Sequence, residues 1–186
     1  MIFIYYYLIA MNISVTLLNS LSQTDKQAIS KVCNVAFNQP VERDYVSMVQ
    51  KPQTTVSVLR ERGVIGGVAF LDHESSNVDP QYSAPSFSHV HSIAISPDFQ
   101  GRGLCKDLVK PLVKQFGDNP MYLNVRTTLG NPNVSAIKCY RRNGFEIVPT
   151  VNADRPDGPN SLMVRHGSRR KKSKRSRRKG KRRSKR

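Results

Sequence analysis

Two histidines, His89 and His91, stand two residues apart in the run HVHSIAI, which is rich enough in β-branched and apolar residues to form a strand. Imidazole titrates near working pH, so it is well suited to act as a general base. Strict alternation would put both rings on one face, together with Ile93 and Ile95. Two half-exposed strand histidines without a chemical task would show the same spacing. After Ser96-Pro97-Asp98 comes Gln100-Gly101-Arg102-Gly103-Leu104-Cys105, a turn that opens a helix. Its glycines let the backbone approach a ligand closely, and free N–H groups at a helix start form an anion site. The turn is not a Walker loop and lacks the third glycine of the dinucleotide fingerprint, so a bare structural turn fits it as well. Further along, Asn133, Ala136 and Tyr140 are spaced by three and seven and share one helix face. A half-buried core tyrosine is the alternative for Tyr140.

Taken together, these segments resemble the GNAT superfamily of N-acetyltransferases. Gln100 to Cys105 is similar to its pyrophosphate loop, Q/R-x-x-G-x-G/A, placed after the fourth strand. Asn133, Ala136, Tyr140, Gly144 and Phe145 resemble its second signature, N-x-x-A-x-x-x-Y-x-x-x-G-F. The likeness covers residues 88–149 and departs at Cys105, where the family has Gly or Ala, and at Pro111, inside a helix that usually runs unbroken.

The resemblance implies acetyl-CoA as co-substrate and a primary amine as acceptor, with direct transfer in a ternary complex. It implies that the backbone of Ile93, Ala94 and Ile95 pairs with the pantetheine arm. It also implies that the amides of Gln100, Gly101, Arg102, Gly103, Leu104 and Cys105 hold the pyrophosphate, with Asn133 and Tyr140 contributed by the second helix. Tyr140 would hydrogen-bond the departing sulfur. The pattern H-x-H-x-x-A-I/V before the loop resembles the arylalkylamine N-acetyltransferases, in which such a pair relays the amine proton. The rest of the chain shows no close match to that subfamily, so its substrate is not carried over.

The elements that must position these groups follow from periodicity. Ile13 to Leu18 reads as a strand. Ser22 caps a helix bearing Ala28, Ile29, Val32, Val35 and Ala36, and a short helix runs through Tyr45, Val46 and Val49. Thr54–Leu59 and Val64–Leu71 flank Glu61-Arg62-Gly63 as a hairpin, and a polar loop leads from Asp72 to Phe87. A helix from about Arg102 carries Leu104, Leu108, Val109, Leu112 and Val113, and Pro111 should kink or end it near Lys110. Tyr122–Arg126 is a strand. Asn131-Pro132 starts a helix that stops at Gly144, and Phe145–Val148 and Asn160–Arg165 are the last strands. The fold class is α/β, a GNAT-like mixed β-sheet flanked by helices, with a disordered basic C-terminal tail.

Of the 186 residues, those numbered 169–186 hold 14 Lys or Arg, and the remainder of the chain carries 16 basic against 13 acidic side chains. The net charge of +17 therefore belongs almost wholly to the tail, which has nothing apolar to bury and suits nucleic acid or another polyanion. The expected organisation is an apolar extension at 1–10, an acetyltransferase domain at 11–166 and the tail at 167–186. The extension is too short to span a bilayer, which needs roughly 20 residues, and lacks the flanks of a signal peptide. Cys33, Cys105 and Cys139 have no CxxC spacing and are odd in number, which argues against a disulfide framework or a metal site and for a reducing, intracellular setting, cytoplasmic or nuclear. Asp154 and Asp157 are candidates to attract a cationic amine, or merely solvated loop acids. The rival functional class is a basic nucleic-acid-binding protein whose folded part binds CoA without catalysis.

Overall fold

In the computed structural model the expected hairpin is present. β1 (Met11–Leu17) pairs antiparallel with β2 (Thr55–Glu61), and β2 with β3 (Val64–Asp72). The turn between β2 and β3 is Arg62-Gly63, both left-handed with φ of 53° and 80°, the conformation that matches strand twist in two-residue hairpins. The structure describes residues 11–39, 41–73, 87–128, 131–148 and 160–167. The extension at 1–10, Asp154, Asp157 and the basic tail lie outside the described residues.

Helix α1 (Gln23–Ala36) starts where expected, with the Ser22 hydroxyl accepting from the Asp25 amide, and α2 (Tyr45–Val49) is capped by Asp44. The remaining elements are β4 (Ser88–Ile95), α3 (Cys105–Phe116), β5 (Met121–Thr128), the two-residue β6 (Asn131–Pro132), α4 (Val134–Arg141), β7 (Glu146–Ile147) and β8 (Asn160–Arg165). The sheet runs β1-β2-β3-β4-β5-β8-β7, with β6 paired to β5. Among the described strands only β4 and β5 are parallel, as the intervening helix requires. One core lies between the sheet and α3 and α4, around Leu108, Val109 and Leu112. The other lies under α1 and α2, around Ile29, Val56 and Phe70.

Two expectations are corrected. Pro111 does not end α3 near Lys110, and the helix continues to Phe116. A proline inside a helix costs about 3 kcal/mol, but Leu108, Val109 and Leu112 on both sides of it are fully buried, each contributing about 1.5–3 kcal/mol. Packing outweighs the lost hydrogen bond. Helix α4 starts at Val134 rather than at Pro132, because Asn133 takes the cap with its side chain accepting from Ala136 N at 3.0 Å.

The turn before α3 lies directly on β3. A Cβ on Gly66 would overlap the Phe99 ring, and one on Gly67 would come within 2.9 Å of Leu108. These glycines let Phe99 and α3 seat against the strand. Gly66→Ala should therefore lower stability by about 1–3 kcal/mol through overpacking, read from the urea midpoint. In a Phe99→Ala background the same change should cost far less. An equal cost in both backgrounds would show that the ring is not what the glycine accommodates.

Candidate active site

Strand β4 contains one residue more than β3 can pair. Val68 faces Ala94 and Phe70 faces His91, so two steps on β3 span three on β4. Ser92 takes up the difference at φ 50°, a β-bulge that reverses the alternation of side chains. His89 and His91 consequently point toward the α1 and α2 side, where His91 stacks on Phe70 at 5.7 Å. Ile93 and Ile95 pack into the core beneath α3. The expectation that the histidines share a face with Ile93 and Ile95 is thus corrected, because alternation holds only across an unbulged strand.

Beyond His89 the two parallel strands part, since β4 and β5 pair only through Ser88 with Met121 and His89 with Tyr122. A cleft of about 610 Å³ opens on the α3 and α4 side of this gap. It brings together Ile93, Ile95, Gln100, Gly101, Gly103, Leu104, Cys105, Asn133 and Tyr140, and reaches Phe37 at the end of α1. Ala94 packs in the opposite core, and neither histidine lines the cleft.

The turn at its mouth is built to hold an anion. Gly101 and Gly103 have φ of 74° and 72°, which only glycine adopts without cost. The amides of Gly101 to Cys105 find no acceptor among the described residues, and α3 adds the positive end of its dipole. Gln100 drops out of the expected amide set, because its N–H already donates to Pro97 O at 3.1 Å. Its side chain instead ties the turn to β4 by donating to Ile95 O at 2.9 Å. The Arg102 guanidinium is committed to Glu61 at 2.5 and 3.1 Å and lies over the Phe99 ring. Arg102 does not line the cleft, and its charge is directed to the hairpin instead.

Tyr140 is buried on α4, edge-on to Phe145. Its hydroxyl has no hydrogen-bond partner among the described residues, and burial pushes its pKa up to about 12. It stays protonated and can donate into the cleft. Beside it, Cys139 is joined to Cys105 by a disulfide of 2.04 Å, which corrects the argument from cysteine number and spacing against disulfide bonding. An odd count leaves one thiol over, the buried Cys33, but says nothing about two cysteines that the fold brings together across 34 residues.

On the other face lies a polar chain that sequence reading missed. Asp72, 4% exposed, accepts from Lys51 Nζ at 2.5 Å and Thr54 Oγ1 at 2.8 Å. His91 Nε2 lies 3.5 Å from its Oδ1, an ion-pair rather than a hydrogen-bond distance. Burial alone would raise the Asp72 carboxyl, yet His91, Lys51 and Thr54 hold it well below the usual carboxylate range. His91 Nδ1 meets Ser92 Oγ at 3.0 Å, and Ser92 Oγ meets the Tyr45 hydroxyl at 2.8 Å. His89 stacks on Tyr122 at 4.4 Å. Burial, followed by the charges of His91 and Lys51, lowers it to about 4 against the opposing pull of Asp72. The one signal for Asp72 in the sequence is an acid closing the apolar strand VIGGVAFLD.

The family model for GNAT acetyltransferases matches residues 24–145, more than half of the chain. This chain belongs to that family. An aminoglycoside N(6')-acetyltransferase type 1 of Klebsiella pneumoniae is 29% identical over 121 residues, covering 58% of this chain and 59% of the relative. A kanamycin resistance protein of Rhizobium radiobacter is 39% identical over 64 residues, 34% of this chain and 57% of the relative. The chain thus spans about three-fifths of the length of the curated relatives it matches. Among solved structures, yncA of Salmonella typhimurium with its cofactor acetyl-CoA superposes with a TM-score of 0.58 at 18% identity, covering 83% of this chain and 93% of the other. That likeness concerns the fold. No helix among the described residues of this GNAT chain is long and apolar enough to cross a membrane.

The partly buried His89, its pKa lowered chiefly by desolvation, should make stability depend on pH. The unfolded chain binds a proton there near pH 6.5 and the folded protein only near pH 4. Its full contribution is therefore present above pH 6.5 and is lost as pH falls toward 4, roughly 3 kcal/mol in all. Urea midpoints of wild type and His89→Gln at pH 7, 5.5 and 4 should show a shallower loss in the variant. Parallel losses would place the pH sensitivity elsewhere.

Proposed function

We propose that residues 11–166 form an enzyme that transfers an acetyl group from acetyl-CoA to a primary amine, directly and in a ternary complex. The observation that carries this reading is one cleft that holds Tyr140 and the glycine turn, whose amides at 101–105, like the Tyr140 hydroxyl, find no partner among the described residues. The amides fit a pyrophosphate, with the backbone of Ile93 to Ile95 beside the gap as the edge for an extended pantetheine arm. A non-catalytic CoA-binding domain would leave that hydroxyl without a task.

An alkyl ammonium of pKa about 10.4 costs about 4.6 kcal/mol to deprotonate at pH 7, so a base lowers the barrier. The role assigned to His89 and His91 falls chiefly to His91, since a pKa of about 4 leaves His89 a weak acceptor. As the C–S bond breaks, Tyr140 donates a hydrogen bond to sulfur. A thiolate of pKa roughly 8.5 facing a phenol near 12 puts complete proton transfer about 5 kcal/mol uphill, which favours a strengthening hydrogen bond over tyrosinate formation.

Two relatives are named for aminoglycosides, so a polycationic amine is the acceptor class to try first. The 14 cationic side chains in residues 169–186 supply a separate attraction for polyanions. The named relatives are bacterial, which supports an intracellular setting and gives no support to a nuclear one, while the Cys105–Cys139 bond removes the argument from cysteine usage.

Thiol release from acetyl-CoA should be seen with at least one of kanamycin, spermidine and a lysine peptide. Tyr140→Phe should lower kcat about 100-fold while the Kd for acetyl-CoA, from calorimetry, changes less than about twofold. Unchanged turnover in the variant would reduce Tyr140 to packing, and silence across all three amines in the wild type would overturn the reading.

A further inference from the structure

The bulged strand holds a serine, a histidine and a buried carboxylate in line, Ser92 Oγ to His91 Nδ1 at 3.0 Å and His91 Nε2 to Asp72 Oδ1 at 3.5 Å. His91 Nε2 is buried, makes no hydrogen bond among the described residues, and has the Asp72 carboxylate as the charged group it faces. An ionised carboxylate only accepts, so it favours the tautomer with the proton on Nε2. The basic Nδ1 lone pair then faces Ser92. The Ser92 hydroxyl is also shared with Tyr45 at 2.8 Å, and the Tyr45 ring lies tilted against Phe37 at 5.5 Å, which lines the cleft. Ser92 itself occupies the bulge, next to Ile93 of the cleft wall and beyond the last β4–β5 pair. Ser92 holds a left-handed conformation that is unfavourable for a non-glycine residue, and such strain gathers at functional sites.

From this we infer that Asp72 is the positioning residue that fixes the tautomer of His91, and that Ser92 carries the proton between the acceptor amine and His91. The inference rests on the acetyl-transfer reading above and names its proton path. An ammonium bound at the end of the gap passes a proton to Ser92 Oγ as the Ser92 O–H proton moves to His91 Nδ1. The products are a neutral amine, an unchanged serine and an imidazolium, so charge and protons balance. Asp72 faces the imidazolium, and Lys51, 58% exposed, keeps the carboxylate ionised when His91 is neutral. The arrangement follows the logic of triads in which the acid orients the imidazole and is not itself protonated. Proton transfer through a positioned group of this kind contributes about 10²–10⁴-fold.

The test uses the full chain labelled with ¹⁵N-histidine, the His91 signals being identified by their loss in His91→Gln. Imidazole ¹⁵N shifts should show the Nε2–H tautomer in the wild type and a change toward Nδ1–H in Asp72→Asn. Thiol release with kanamycin or spermidine should fall about 100-fold in Asp72→Asn, with acetyl-CoA affinity within about twofold. Ser92→Gly removes the hydroxyl yet suits the positive φ, so it should fold normally, keep the Nε2–H tautomer and lose about tenfold or more in kcat. An Nδ1–H tautomer in the wild type, an unaltered tautomer in Asp72→Asn, or full turnover in Ser92→Gly would each overturn the relay. Failure of the wild type to release thiol would overturn the acetyl-transfer reading instead, and the imidazole spectrum would still decide the Asp72–His91–Ser92 arrangement.

Discussion

The extra residue in β4 is the constraint on which the site depends. With Ser92 at φ 50°, the strand changes which face its side chains serve halfway along. Its first half sends His89 and His91 to the α1 and α2 side, and its second half sends Ile93 and Ile95 toward α3. The bulge also increases local twist, and beyond His89 no pairing joins β4 to β5. A gap between two parallel strands in mid-sheet would ordinarily waste backbone hydrogen-bonding capacity. Here it forms the wall of a cleft whose other walls are the turn before α3 and the face of α4.

Around that bulge the polar groups are arranged so that few buried charges stand alone. Asp72 would be costly to bury by itself, and Lys51 and Thr54 satisfy it from the turn leading into β2. The same principle explains Arg102 and Glu61, an exposed pair worth little in stability that anchors the turn to the β2–β3 hairpin. With Gly66 and Gly67 admitting Phe99 and Leu108, the turn is held against β3 from two directions. Its amides remain unpaired while the chain around them is fixed, which is what preorganised anion binding requires.

Much of this was legible in the residues. The order of strands and helices follows from periodicity. The glycine turn and the shared face of Asn133, Ala136 and Tyr140 do converge on one cleft. What escaped did so for physical reasons. Period-two alternation predicts one face for His89, His91, Ile93 and Ile95, and nothing in HVHSIAI marks a bulge, since a serine rather than a glycine takes the left-handed position. Asp72 pairs with His89 only through hairpin register, and the Cys105–Cys139 bond depends on how α3 and α4 meet. Pro111 does not end its helix, because the burial on either side of it outweighs local propensity.

The account stands on the cleft between the parted strands being the place where acetyl-CoA lies, with the turn amides on its phosphates. Amide hydrogen exchange of the full chain, with and without acetyl-CoA, reads this directly. The unpaired amides of residues 101–105 should exchange fast in the free protein and slow markedly on addition, together with those of 93–95, while α1 and the β1–β2 pair stay unchanged. Protection confined to other elements, with residues 93–95 and 101–105 unaffected at saturating acetyl-CoA, would contradict it.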